Sequence, residues 1–195
     1  MLRKAEIILC AAVAVAVLLR MALVSGSTSF LVSMLMTLAF VYFYFGFLLF
    51  TGISFKEMFR RASYEKIAGM RIVGAILSGF ALSIVCVAVL FKLLSWPGDT
   101  FDLALGLVSC AIVLVTCFMK MNGRHAGYYK PLAARMIIAC ALCACLLAVP
   151  RKAYLEFMQR DNPAYVKAVE EVWKDPTNAS LLQRAREEQK NMHHH

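Results

Sequence analysis

Charge is what this sequence has least of. Only 17% of its 195 residues are Asp, Glu, Lys or Arg, against 61% hydrophobic, and its mean hydropathy is +0.68. Soluble domains carry about 25% charged residues, so composition excludes that class and points to an integral membrane protein. Histidine is nearly missing too. Apart from His193 to His195, which read equally as a tag remnant or a native feature, the chain holds only His125, in a basic loop where a solvated side chain is the default. There is no G-x-S-x-G, no H-E-x-x-H and no P-loop, which removes the familiar hydrolase and nucleotide-binding constellations. No low-complexity tract and no internal repeat occurs. No Asp or Glu falls at mid-depth of an apolar run, where a proton pathway needs one.

The cysteines and basic residues are equally informative by where they do not occur. All seven cysteines (Cys10, Cys86, Cys110, Cys117, Cys140, Cys143, Cys145) fall inside apolar segments. Neither a structural disulfide nor a zinc knuckle in a water-exposed loop is therefore expected. The net charge of +9 comes from short segments between apolar runs, which phospholipid headgroups and topology signals explain. No basic patch with interleaved aromatics forms a domain, so no nucleic-acid partner is expected.

What the chain does have is apolar length. A hydrocarbon core of roughly 30 Å needs about 20 residues of helix. Five runs qualify: Ile7 to Val24, Phe30 to Thr51, Met70 to Leu94, Phe101 to Met119 and Leu132 to Val149. The sequence thus predicts an all-α, polytopic transmembrane bundle over residues 1–150, with five spans or four. A soluble helical tail follows over 151–192. The first run has a signal peptide as its alternative, with Arg3 and Lys4 ahead of it, but Arg20 follows and the run continues past it. The fifth run is the shortest and carries Arg135 at its start, so a re-entrant or interfacial segment is its alternative. Pro131 suits that helix's first turn and Pro150 its stop.

Lysine and arginine counts set an orientation. Arg3 and Lys4; Lys56, Arg60, Arg61, Lys66 and Arg71; and Lys120, Arg124, Lys130 and Arg135 mark three basic ends, whereas the first loop has none and the third only Lys92. The positive-inside rule then places the N-terminus and the two basic loops in the cytoplasm, with the "SWPGD" loop outside. Five spans put the tail outside; Arg151 and Lys152 argue for a cytoplasmic tail. Ser54 to Glu57 reads as a capping box opening a short amphipathic helix, lying on the inner leaflet or against the bundle. Tyr128 and Tyr129, in a Gly-broken turn, suit the headgroup belt. In the tail, Asn162–Pro163 starts a helix with Val166, Val169 and Trp173 on one face, and Asp175–Pro176 or Asn178 starts another. The two form a hairpin held by Trp173 and Leu181 or Leu182. So small a piece needs a further surface to pack on, be it the membrane domain, another copy or a partner.

Four patterns bear on chemistry or packing. Cys140 and Cys143 form a C-x-x-C, the spacing of dithiol redox centres, but they fall mid-helix, where thiols are inert and pack as small residues. The eleven methionines are scattered without a paired Met-x-x-Met or Cys-His element, which points to core packing rather than copper. Gly74 with Ser78 and Ala75 with Gly79 allow close helix approach, and the aromatic run Val41 to Phe50 reads as lipid-facing bulk. No catalytic, cofactor or metal site is expected.

The hairpin "GAILSGFALSIVCVAVLFKLLSWPGDTFDLALGLVSCAIVLVTCFM" resembles the membrane hairpin of the GldL family, inner-membrane motor subunits of gliding motility and type IX protein secretion. Phe91 and Lys92, Trp96, Pro97 and Gly98, and Gly106 with Leu107 match that family's pattern, over about a quarter of the chain. Ser95 stands where the family has a histidine, and Cys110 where it has a buried glutamate. The resemblance implies an outward-facing turn; the two departures imply that the motor's proton relay is not carried with it. The candidate functional hairpin is Lys92, Trp96, Pro97, Gly98, Asp99 and Asp102, with Lys92 snorkelling, Trp96 interfacial and Asp99 a helix cap. The expected role is a non-catalytic structural or partner-binding subunit, whose partners are the lipid bilayer and a membrane protein or further copies of the chain. An ion-conducting or transporter subunit is the alternative, and a membrane thiol oxidoreductase a weaker one.

Overall fold

The computed structural model describes residues 2–22, 24, 26–51, 69–96, 98–121, 126–160, 162–175 and 177–191. The capping box at Ser54 to Glu57, as well as Pro97, His125 and His193 to His195, lies outside the described residues. The described residues are helical throughout their regular structure. The helices are α1 (Leu2–Met21), α2 (Ser27–Thr51), α3 (Gly69–Leu93), α4 (Asp99–Lys120), α5 (Ala126–Ala148), α6 (Arg151–Met158), α7 (Pro163–Lys174) and α8 (Ala179–Asn191). Packing divides the chain into one unit ending at Ala148 and another beginning at Val149.

Four helices of the first unit are long and apolar enough to cross a bilayer: Ser27–Thr51, Arg71–Leu93, Asp99–Lys120 and Gly127–Ala148. At 1.5 Å per residue they measure roughly 33–38 Å, so the chain is a membrane protein. The first helix is not among these four, since Arg3, Lys4, Glu6 and Arg20 charge both its ends around an apolar stretch of roughly 20 Å. The fifth run, which looked the weakest, forms a 23-residue helix. It begins at Ala126, so Tyr128 and Tyr129 belong to the helix and Pro131 lies inside it rather than in its first turn. Pro131 only removes a hydrogen bond to the Gly127 carbonyl, one turn from the helix start, which an early position tolerates.

Each of these helices packs on its neighbour in sequence, and α3 also touches α5. Directions alternate. Tyr42 and Gly46 of α2 meet Gly79 of α3, and Gly106 of α4 meets Val85 of α3 and Cys143 of α5. Tyr128, near the start of α5, bonds the carbonyl of Arg71 near the start of α3. The closest approach is glycine on glycine: a Cβ on Gly46 would stand 2.7 Å from the Gly79 Cα, and one on Gly79 2.6 Å from the Tyr42 carbonyl oxygen. Of the small residues expected to allow this, Gly79 makes the contact and Ala75 and Ser78 are buried, whereas Gly74 faces open space. The aromatic stretch of α2 is split. Phe40, Phe43 and Tyr44 point outward, while Tyr42, Leu48 and Phe50 are buried, so only one side of it is lipid-facing bulk.

In the second unit α7 packs on α6 and α8. The Asn162 side chain makes no cap bond; the Asn178 carbonyl oxygen accepts from the Ser180 N–H and hydroxyl, so Asn178 caps α8. Trp173 is covered by the Arg151 guanidinium, 4.3 Å from its ring, and Leu182 is exposed. Lys152 bridges Glu170 at 3.1 Å and Glu156 at 3.7 Å. Hydrogen bonding to Glu170, reinforced by both carboxylates, holds its amine above the usual lysine range. Such exposed pairs orient side chains more than they stabilise.

Candidate functional site

Helices α1 to α5 contain three acidic residues, Glu6, Asp99 and Asp102. Two of them end up in buried ion pairs, one at each end of the bundle.

The first pair closes the α3–α4 turn. The Trp96 N–H bonds the Phe91 carbonyl at 2.9 Å and the Ser95 N–H bonds the Lys92 carbonyl at 3.1 Å. With Ser95 left-handed at φ 54, this is a Schellman helix end, and the Trp96 ring packs edge-on against Phe91 at 5.2 Å, the apolar contact that goes with it. The spacing of Phe91 and Trp96 thus has a local cause. Gly98 follows at φ 93 and ψ −6, a conformation that glycine adopts without cost. The chain then re-enters helix so tightly that Asp99, the first residue of α4, faces back to the last turn of α3. Lys92 Nζ lies 3.5 Å from Asp99 Oδ2, with the two side chains 4% and 2% exposed.

Two expectations change here. Lys92 does not snorkel to the interface, because a carboxylate within reach removes the need to seek water. Asp99 does not cap α4, whose cap position is held by Gly98 without a side-chain bond. It stands inside the helix and neutralises Lys92. Asp102 sits in the first turn of α4, half-buried, on the wall of a crevice shared with Phe43, Phe80, Ser83 and Leu105. Trp96 is 46% exposed.

The second pair joins the first and last long helices. Arg135 of α5 grips Glu6 of α1 with a two-pronged contact, Nε to Oε1 at 2.9 Å and Nη2 to Oε2 at 2.8 Å. The Tyr42 hydroxyl of α2 donates to the same Oε1 at 3.2 Å. Cys10 Sγ lies 3.9 Å from that hydroxyl, and the guanidinium rests over the Phe50 ring at 5.6 Å. Glu6 is 5% exposed. A carboxylate with both oxygens engaged clamps three helices together, and its ionised form is matched by a fixed cation. Sequence reasoning left Glu6 in the N-terminal flank. The available signal was topological: charge counting puts the start of α1 and the start of α5 on one side, where an acid and an arginine can meet.

Three of the thiols, Cys86, Cys110 and Cys143, are buried on α3, α4 and α5, whereas Cys10 and Cys145 are exposed and Cys140 is half-buried. Cys143 packs toward Gly106 of α4. No group of His, Cys, Asp and Glu among the described residues is arranged to hold a metal ion.

No known family model, no curated protein and no solved structure matches this chain.

Proposed function

We propose that the protein is a non-catalytic structural or partner-binding subunit of a bacterial inner membrane. Its N-terminus is cytoplasmic, its α3–α4 hairpin is related to the GldL type, and it works by holding another membrane protein or further copies of itself. The observation that carries this reading is a furrow on the outer face of α2, α3 and α4. Two adjoining crevices of about 200 and 270 Å³ share Phe43, Ser83 and Val87, and the larger is also lined by Phe80 and Asp102. Acyl chains can fill an apolar groove, but a serine and an aspartate in its lining suit the small and polar groups of a packed helix. A photocrosslinker at Val87 in native membranes should yield protein adducts that disappear when Ser83→Phe fills the furrow. Adducts with lipid alone would retire the reading.

A second reading, an ion-conducting subunit, is favoured by the burial of Lys92 and Asp99, since ionisable groups inside a membrane commonly mark ion paths. The two readings part on one variant. For a structural pair, Asp99→Asn lowers stability by about 1.5 kcal/mol, measured by thermal unfolding in detergent, and reconstituted vesicles show no proton flux with or without it. Flux in the parent that the substitution abolishes would favour conduction.

A further inference from the structure

Besides the furrow, the bundle has a second kind of opening, a half-open crevice of about 340 Å³ where the end of α2 meets the starts of α3 and α5. Its walls include Thr51, Arg71, Gly127, Tyr128, Leu132 and Arg135. The two arginines are in different states. Arg135 is neutralised by Glu6, and its Nη1 also donates to the Pro131 carbonyl at 3.3 Å, so three of its five N–H donors are used and two remain. Arg71 makes no ion pair with any described residue. Its guanidinium lies 4.6 Å from the centre of the Tyr128 ring, and its buried Nε finds no hydrogen-bond partner. A buried donor on a full positive charge is costly to leave unmatched.

We propose that this crevice binds a phosphate group, with Arg71 as its principal ligand and the spare Arg135 protons as a second set. The planar forks of two arginines match a tetrahedral oxyanion. The apolar wall from Leu49, Phe50 and Leu132 suits what the phosphate is attached to. Two sources carry this chemistry: the headgroup of an anionic phospholipid, for which basic clefts between membrane helices are suited, and a soluble phosphate. Stacking on Tyr128 holds the Arg71 fork in one plane before the ligand arrives, which lowers the ordering cost of binding.

The test is native mass spectrometry of the full-length protein in detergent, with phosphatidylglycerol or phosphatidylcholine added. Phosphatidylglycerol should be retained in preference to phosphatidylcholine, and Arg71→Gln should weaken that retention about tenfold or more. Arg71→Lys, which keeps the charge but loses the fork, should fall between the two. Gly127→Leu supplies an independent check, because Gly127 lines the crevice and a Cβ there meets no atom within 4 Å; the added side chain narrows the crevice while keeping both arginines and should weaken retention as well. Displacement of the lipid by millimolar inorganic phosphate assigns the site to soluble phosphate, and its persistence assigns it to the headgroup. Equal retention of both lipids, or unchanged retention in Arg71→Gln and Gly127→Leu, would overturn the proposal.

Discussion

Replacing Arg135 with alanine is expected to cost the fold about 3 kcal/mol, read as a lower unfolding midpoint in detergent or nanodiscs. The loss comes from what is left behind. Glu6, 5% exposed in the intact protein, keeps among the described residues only the Tyr42 hydroxyl as a partner, and an unpaired buried carboxylate is far less stable than a paired one. The figure sits at the low end for buried pairs because the Arg135 side chain is 25% exposed and its charge is partly screened. Tyr42→Phe, which removes one neutral donor from the same oxygen, should cost about 1 kcal/mol. The decisive comparison is the double replacement Glu6→Leu with Arg135→Met. Removing both charges leaves nothing to desolvate, so most of the stability should return. If the double variant were as unstable as Arg135→Ala, the pair would not be acting as a clamp.

Gly79→Ala should cost about 2 kcal/mol, within the usual range for overpacking a tight core, although alanine is the better helix former. The added methyl would stand 2.6 Å from the Tyr42 carbonyl oxygen and 3.1 Å from the Gly46 Cα. Both are backbone atoms, which cannot swing aside as a side chain can, so α2 as a whole must move away. That movement carries Tyr42 with it, and Tyr42 donates to Glu6. Gly79→Ala and Tyr42→Phe should therefore be non-additive. Gly74→Ala is the matched control: its Cβ meets open space, and it should leave the midpoint unchanged or raise it slightly. A comparable loss at Gly74 would mean that chain flexibility, not the α2–α3 contact, governs the effect.

Much of the architecture was legible in the apolar runs, because a bilayer demands a minimum apolar length and a residue count measures it directly. The helix ends were less legible. Helices α4 and α5 begin at Asp99 and Ala126, ahead of their apolar runs, because backbone hydrogen bonding continues after hydrophobicity stops. Judging spans by length also placed the doubt on the fifth run, when the first was limited by its charges. Of the hairpin residues, Lys92 and Asp99 were found but given the wrong roles. A lysine at a helix end reads as snorkelling unless the turn after it is known to bring Asp99 back to it, and that depends on the left-handed backbone at Ser95 and Gly98.

The sequence by itself determined that this is a helical membrane protein, because apolar length and scarcity of charge are properties of the chain that need no partner. It also placed its few charges at helix ends. Only the tertiary structure decided which charges meet. Glu6 and Arg135 are 129 residues apart, and their contact exists because alternating helices return the start of α5 to the side where α1 begins. Burial then turns a residue that looked like an N-terminal flank into a clamp across three helices, since an acid inside the bundle is tolerated only where a base stands against it.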